Sequence, residues 1–167
     1  MSESSRRVFL IICVVVPFIL YCVYYYVGVF RDAPFRRDEF VSMNIQYGDG
    51  PVLKNSYDSK TENYQYVNTK DSVIRMKLHL TKDDITFIHH KAFEQGFWDF
   101  PAIEGDTTVK SGPGSLRYII TMNYKRKTKK VIFYNNYDGD PKLIDANRQV
   151  ISKIEKVLQD EEKNQTK

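Results

Sequence analysis

The chain has 167 residues, with 25 Lys or Arg against 21 Asp or Glu, a formal charge of +4 and a mean hydropathy of -0.47. Cations and anions are interspersed, which excludes the one-signed surface that nucleic-acid binding normally uses. Both cysteines, Cys13 and Cys22, lie in one apolar stretch near the N-terminus, so the remainder has no disulfide, thiol nucleophile or thiolate metal site.

That stretch, Val8–Phe30, holds twenty-three residues without a charge, between Arg6 and Arg7 on one side and Arg31 on the other. As a helix it would rise about 34 Å, slightly more than the apolar thickness of a bilayer. A secretory signal has a shorter apolar region, roughly 7 to 15 residues, followed by small residues at the cleavage site. Here only Gly28 and Ala33 are small, and Arg31 and Asp32 spoil the second position. Tyr21 precedes Cys22 and Ile12 precedes Cys13, which does not suit a lipoprotein signal. The expectation is an uncleaved, single-pass transmembrane signal anchor within residues 1–30, kinked at Pro17, with Tyr21, Tyr24, Tyr25 and Tyr26 at the membrane interface. The flanking charges leave orientation open, while the short N-terminal tail favours an extracytoplasmic, periplasmic domain at the cell membrane.

Residues 31–39 are charged and contain Pro34, the composition of a short juxtamembrane linker. Residues 40–160 then have the size of one domain. Val41, Met43, Ile45 and Tyr47 alternate with Ser42, Asn44 and Gln46, which predicts a half-buried strand over Phe40–Tyr47 ended by Gly48, Asp49, Gly50 and Pro51. Residues 54–63 read as a long polar loop. Strands follow at Tyr64–Asn68 and Val73–Leu80. Thr81 and Asp84 form a capping-box signature for a helix that buries Ile85, Ile88, Ala92 and Phe93 and stops at Gly96.

An aromatic segment, Phe97–Pro101, and an irregular one, Ala102–Ser115, precede two more strands, Leu116–Tyr124 and Lys130–Tyr134. Asp140 and Pro141 open a final helix whose buried face carries Leu143, Ile144, Asn147, Val150, Ile151, Ile154, Val157 and Leu158. Residues 161–167 read as a frayed tail. The order predicts an α+β fold: a transmembrane helix, then an antiparallel sheet of about five strands with two helices on one face.

Candidate chemistry is sparse. His89 and His90 diverge on a helix and His79 lies on a strand, so no ligand set for a metal is spaced along the chain. Asn136, Asp138, Gly139 and Asp145 mimic part of a calcium loop, but the first ligand would be Tyr134, and a turn with a helix cap explains the same residues. Lys125, Arg126, Lys127, Lys129 and Lys130 form a basic tip, read as a solvated strand connection with lipid or partner contact as the sharper reading. Glu104 and Asp106 are loop acids of the kind that is usually solvated. Gly112, Pro113 and Gly114 lack the lysine and helix start of a phosphate cradle. No cofactor motif is present.

A Tyr or Gly-rich turn after a strand (Tyr47, Gly48, Asp49, Gly50), a capped helix followed by Gly96 and Phe97, an Asp-Thr loop (Asp106, Thr107, Thr108), a hairpin and a Pro-Leu helix (Pro141, Leu143) together resemble a family of uncharacterised bacterial envelope domains, many on lipoproteins. The resemblance covers Phe40 to Leu158 and implies the fold and an envelope setting, with no activity to carry over. The functional expectation is a non-catalytic, membrane-anchored interaction module whose partners are the lipid bilayer and another envelope or membrane protein. The alternatives are an accessory subunit of a larger membrane complex and an envelope hydrolase or transferase using Glu104, Asp106 or a histidine.

Overall fold

The computed structural model describes residues 3–32, 35–49, 52–105 and 116–166, with no side-chain description at residues 3, 4, 6, 8, 10 and 28–32. Asp106, Thr107, Thr108, Gly112, Pro113, Gly114, Gly50 and Ala33 lie outside the described residues. The chain divides into two compact units, Met1–Pro34 and Phe35–Lys167.

The first unit is the helix α1, Glu3–Asp32, with Pro17 inside it. Its described apolar side chains are exposed, and Tyr21 stacks on Tyr25 with ring centroids 6.4 Å apart, one helical turn on. Among the described residues, no helix is long and apolar enough to cross a membrane. The expected single-pass anchor is corrected accordingly, and Tyr21, Tyr24, Tyr25 and Tyr26 are exposed side chains of α1.

The second unit is a mixed sheet under two helices. Its strands are β1 (Phe40–Asp49), β2 (Asn55–Asp58), β3 (Asn63–Val67), β4 (Val73–Lys77), β5 (Ile103–Glu104), β6 (Leu116–Tyr124) and β7 (Thr128–Tyr134); its helices are α2 (Lys82–Glu94) and α3 (Pro141–Gln165). The order across the sheet is β4-β3-β2-β1-β6-β7-β5, and β5 runs parallel to β7 whereas every other pair is antiparallel. Seven strands therefore replace the expected five, and the sheet is not purely antiparallel. Both additional strands carry weak local signals that tertiary contacts override. β2 is Asn-Ser-Tyr-Asp, a turn-like composition, yet Tyr57 is 1% exposed and its hydroxyl donates to the Leu78 carbonyl at 3.2 Å. β5 is only two residues long, held by the edge of β7.

Met43, Ile45, Tyr57, Tyr64, Ile120, Met122, Tyr124, Val131 and Phe133 point to one face and form the core with Ile88 and Ala92 of α2 and Val150, Ile151, Ile154 and Leu158 of α3. Alternation puts Val41 on this face, but a register shift between Phe40 and Ser42 turns it out, leaving Val41 exposed and Ser42 buried. The α2 cap forms as its sequence predicts: the Thr81 side chain accepts from the Asp84 amide, and an Asp84 carboxylate oxygen accepts from the Thr81 amide at 2.8 Å. Gly96, at φ 69°, ends the helix region in the left-handed conformation. Phe93, expected in the buried stripe, is exposed.

α3 continues through Gln165, where residues 161–167 were expected to fray. Gln165 explains this by bracketing one residue of the sheet side: its Oε1 accepts from the His79 amide at 3.1 Å and its Nε2 donates to the His79 carbonyl at 2.8 Å. One turn earlier, Glu162 accepts from the Tyr66 hydroxyl. Removing the fully buried Ile154 side chain, at the centre of this helix, should cost about 2–5 kcal/mol; chemical denaturation of Ile154→Ala measures it.

Candidate functional site

Strand alternation gives the sheet a second face, opposite the one that packs on α2 and α3. Cross-strand pairing aligns Lys77, Asn63, Asp58, Asn44, Thr121 and Lys130 in one transverse row, and Arg75, Gln65, Ser56, Gln46, Ile119 and Ile132 in the next. None of the twelve is buried. Amides, hydroxyls and the Asp58 carboxylate occupy the middle, with Arg75 and Lys77 at the β4 margin and Lys130 beside Ile132 at the β7 margin. Arg75 is ordered by a 2.8 Å bond from its Nε to Gln65 Oε1, and Lys77 by a 2.6 Å bond to the Thr61 carbonyl.

The polar groups on the helix side are enclosed. Glu104, a loop acid by sequence, is 1% exposed, as is Asn147 of α3. Asn147 Nδ2 donates to Glu104 Oε2 at 2.6 Å and to the Leu143 carbonyl at 2.9 Å, while Glu104 Oε1 has no hydrogen-bond partner. Burial pushes the Glu104 carboxyl up to about 7, against the opposing pull of the Asn147 hydrogen bond and the Lys129 charge. Burial in turn holds the Lys129 ammonium below its usual value, and its Nζ donates to the Phe100 carbonyl. The sequence offered one signal for this enclosure, the place of Asn147 on the buried face of α3, but nothing in it sets Glu104 against that face.

The histidines are separate. His79 Nδ1 lies 2.6 Å from Glu62 Oε1 and His90 Nε2 lies 3.0 Å from Glu94 Oε1, both exposed. His89 Nε2 donates to the Phe35 carbonyl at 3.0 Å. Among the described residues, no three His, Cys, Asp or Glu side chains are grouped to hold a metal ion. In the calcium-like stretch, Asp140 caps α3 by accepting from the Lys142 amide at 2.9 Å.

The basic tip between β6 and β7 is only partly solvated. Arg126 pairs with Glu39 at 2.8 Å, the Lys125 amide donates to the Glu39 carbonyl at 2.9 Å, and Lys127 Nζ lies 5.5 Å from the Phe35 ring centroid. With Lys129 bonded to Phe100, three of the five cations are turned onto the protein; the Lys125 and Lys130 side chains are exposed. Arg126, Lys127 and the Lys125 amide share one neighbour, residues 35–39, where the sequence predicts a linker. Phe35 is 8% exposed, stacked on Trp98 at 4.9 Å and 10°, and set edge-on to Tyr124 at 5.4 Å. It adopts φ 65°, a left-handed conformation costing about 1 kcal/mol or more for a residue with a Cβ. The aromatic box and the His89 bond offset that strain.

Under α3 a tyrosine belt completes the polar interior. Tyr118 stacks on Tyr47 at 5.3 Å, and its hydroxyl bonds Glu155, whose carboxyl burial holds above its usual value.

Two outcomes test this geometry. Because Glu104 binds its proton more tightly in the folded chain than in the unfolded one, its contribution is fully present below pH 4.5 and is lost as pH rises to about 7. Glu104→Gln should therefore leave stability near that of the unmodified chain at pH 4.5 and exceed it by about 3 kcal/mol at pH 8, read from denaturation midpoints. Phe35→Ala should cost about 3–5 kcal/mol and change the emission of Trp98, the single tryptophan. In comparisons with known proteins, the chain matches no family model, no curated protein and no solved structure, so nothing there bears on the resemblance to bacterial envelope domains.

Proposed function

We propose that residues 35–167 form a non-catalytic interaction module that binds another protein through the sheet face opposite α2 and α3. The observation that carries this reading is the pair of transverse rows, from Arg75 and Lys77 on β4 to Ile132 and Lys130 on β7, which sets twelve polar or half-exposed side chains on one face. Non-obligate interfaces are about as apolar as ordinary protein surface, so a polar face with Ile119 and Ile132 at one side suits a reversible partner better than an obligate one.

A hydrolase or transferase built on Glu104, Asp106 or a histidine has weaker support. A catalytic acid must reach a substrate proton or water, whereas Glu104 is 1% exposed with Asn147 on one of its oxygens. His79 and His90 are held by separate glutamates on separate elements, and Asp106 lies outside the described residues.

The test is in-cell cross-linking of the full chain. Gln46→Arg and Thr121→Arg, in neighbouring rows of the sheet face opposite α2 and α3, should each reduce the partner cross-link by roughly tenfold or more, since an unpaired charge at an interface centre costs at least about 1.4 kcal/mol. The exposed α2 substitution Phe93→Arg should leave it intact. Retention of the cross-link in both sheet variants would overturn the assignment of this face.

A further inference from the structure

The edge strand β5 is held to the domain by very little backbone. Its register with β7 consists of two pairs, Ile103 with Ile132 and Glu104 with Phe133, and the Ile132 amide donates to the Ala102 carbonyl at 2.9 Å. Immediately after it, Gly105 sits at φ 128°, and a Cβ there would come within 2.7 Å of the Tyr134 side chain. Of the two β5 side chains, Ile103 is half exposed and Glu104 is 1% exposed. The side-chain burial of this strand is therefore the burial of one carboxyl group.

That carboxyl suits the neutral form better than the charged one. A buried carboxylate is stabilised when both oxygens accept hydrogen bonds, and Glu104 Oε1 has none. From α3 the group that faces it is the neutral Asn147 amide; from β7 it is Lys129, the one cation acting on it, while Phe133, the register partner of Glu104, is apolar. The Lys129 ammonium is committed to the Phe100 carbonyl and is itself disfavoured by burial, with Asp99 as a second anion near it. Lys129 therefore opposes expulsion of an ionised Glu104 without compensating the bare oxygen.

We propose that β5 is a proton-gated edge strand: Glu104 holds it against β7 while neutral, and loss of the proton releases it and uncovers the β7 edge. The step is a proton transfer from the carboxyl to water, with no other bond made or broken except the hydrogen bonds of β5. The position of the Glu104 titration, near neutrality because burial raises it, agrees with this geometry. Release would leave the β7 amides that face β5 unpaired, an edge of the kind on which an extended segment can add as a further strand. The inference does not rest on the interaction reading above, which concerns the sheet face and not its edge.

Amide hydrogen exchange on the full chain tests it, because the Ile132 amide of β7 and the Asn135 amide just past its end face opposite ways. The Ile132 amide is bonded to Ala102 on the β5 side, and the Asn135 amide to Leu116 on the β6 side, at 2.9 Å. After correction for intrinsic exchange, protection of Ile132 should fall by on the order of 10- to 100-fold between pH 5 and pH 8, while Asn135 changes little. Glu104→Gln, neutral at both values, should abolish the fall. Equal Ile132 protection at both pH values, the same fall in Glu104→Gln, or a parallel fall at Asn135 would each overturn the proposal. Should the variant not fold, carbon-detected titration of the Glu104 carboxyl in the unmodified chain decides: a midpoint near 7 supports the gate, and one in the ordinary carboxylate range overturns it.

Discussion

The antiparallel pairing of β1 with β6 is the constraint from which the domain is built. Nine register pairs, from Phe40 opposite Tyr124 to Asp49 opposite Leu116, join strands separated by some seventy residues of intervening chain. Once that ladder is in place, every other strand is appended outward by a local hairpin, except β5. The ladder also sets the face: Ile45 opposite Ile120 and Met43 opposite Met122 are fully buried, and the helices that cover them must lie on that side. Closing so large a loop is costly before the contacts reward it, and the return is a single apolar layer between one sheet face and two helices.

Everything polar in that layer has to be reconciled with burial. The domain uses tyrosines, whose rings fill the core while their hydroxyls reach a carboxylate or carbonyl: Tyr57 to Leu78, Tyr66 to Glu162, Tyr118 to Glu155. Tyr124 is the exception, with a buried hydroxyl that has no hydrogen-bond partner and burial that pushes its titration far above the usual value. Glu104 is the carboxylate counterpart. Both stand at the β6–β7 side of the sheet, where α3 begins and where the entry segment packs. Among the described residues that side carries the unsatisfied buried groups, while β2, β3 and β4 are joined by their own hairpins and the Gln165 bracket holds His79 just past β4.

The cations of the β6–β7 tip link these features. Arg126 fixes Glu39, Lys127 lies over Phe35 and Lys129 holds Phe100. A basic run on a hairpin tip ordinarily serves solubility; here its inward members fasten segments that have no strand or long helix of their own. Such exposed or half-exposed charges contribute little individually, so their role is positional, holding Phe35 in its aromatic box.

Local chemistry made the two helices of the domain legible. The Thr81–Asp84 box, Gly96, the Asp140–Pro141 start and the α3 stripe from Val150 to Leu158 all stand where sequence places them, because capping and helical periodicity are short-range. Alternation likewise placed β6 and most of β1. What the sequence could not determine was any feature resting on a partner far along the chain: the strand character of Asn55–Asp58, the bulge that turns Val41 outward, the enclosure of Glu104 by Asn147 and of Phe35 by Trp98 and Tyr124. The composition of α1 similarly suggested more than its described residues carry. By itself, then, the sequence determined which residues want to be helical and which want to be buried; the tertiary structure alone decided which polar groups were buried with them, since desolvation depends on what packs against a group and not on its neighbours in the chain.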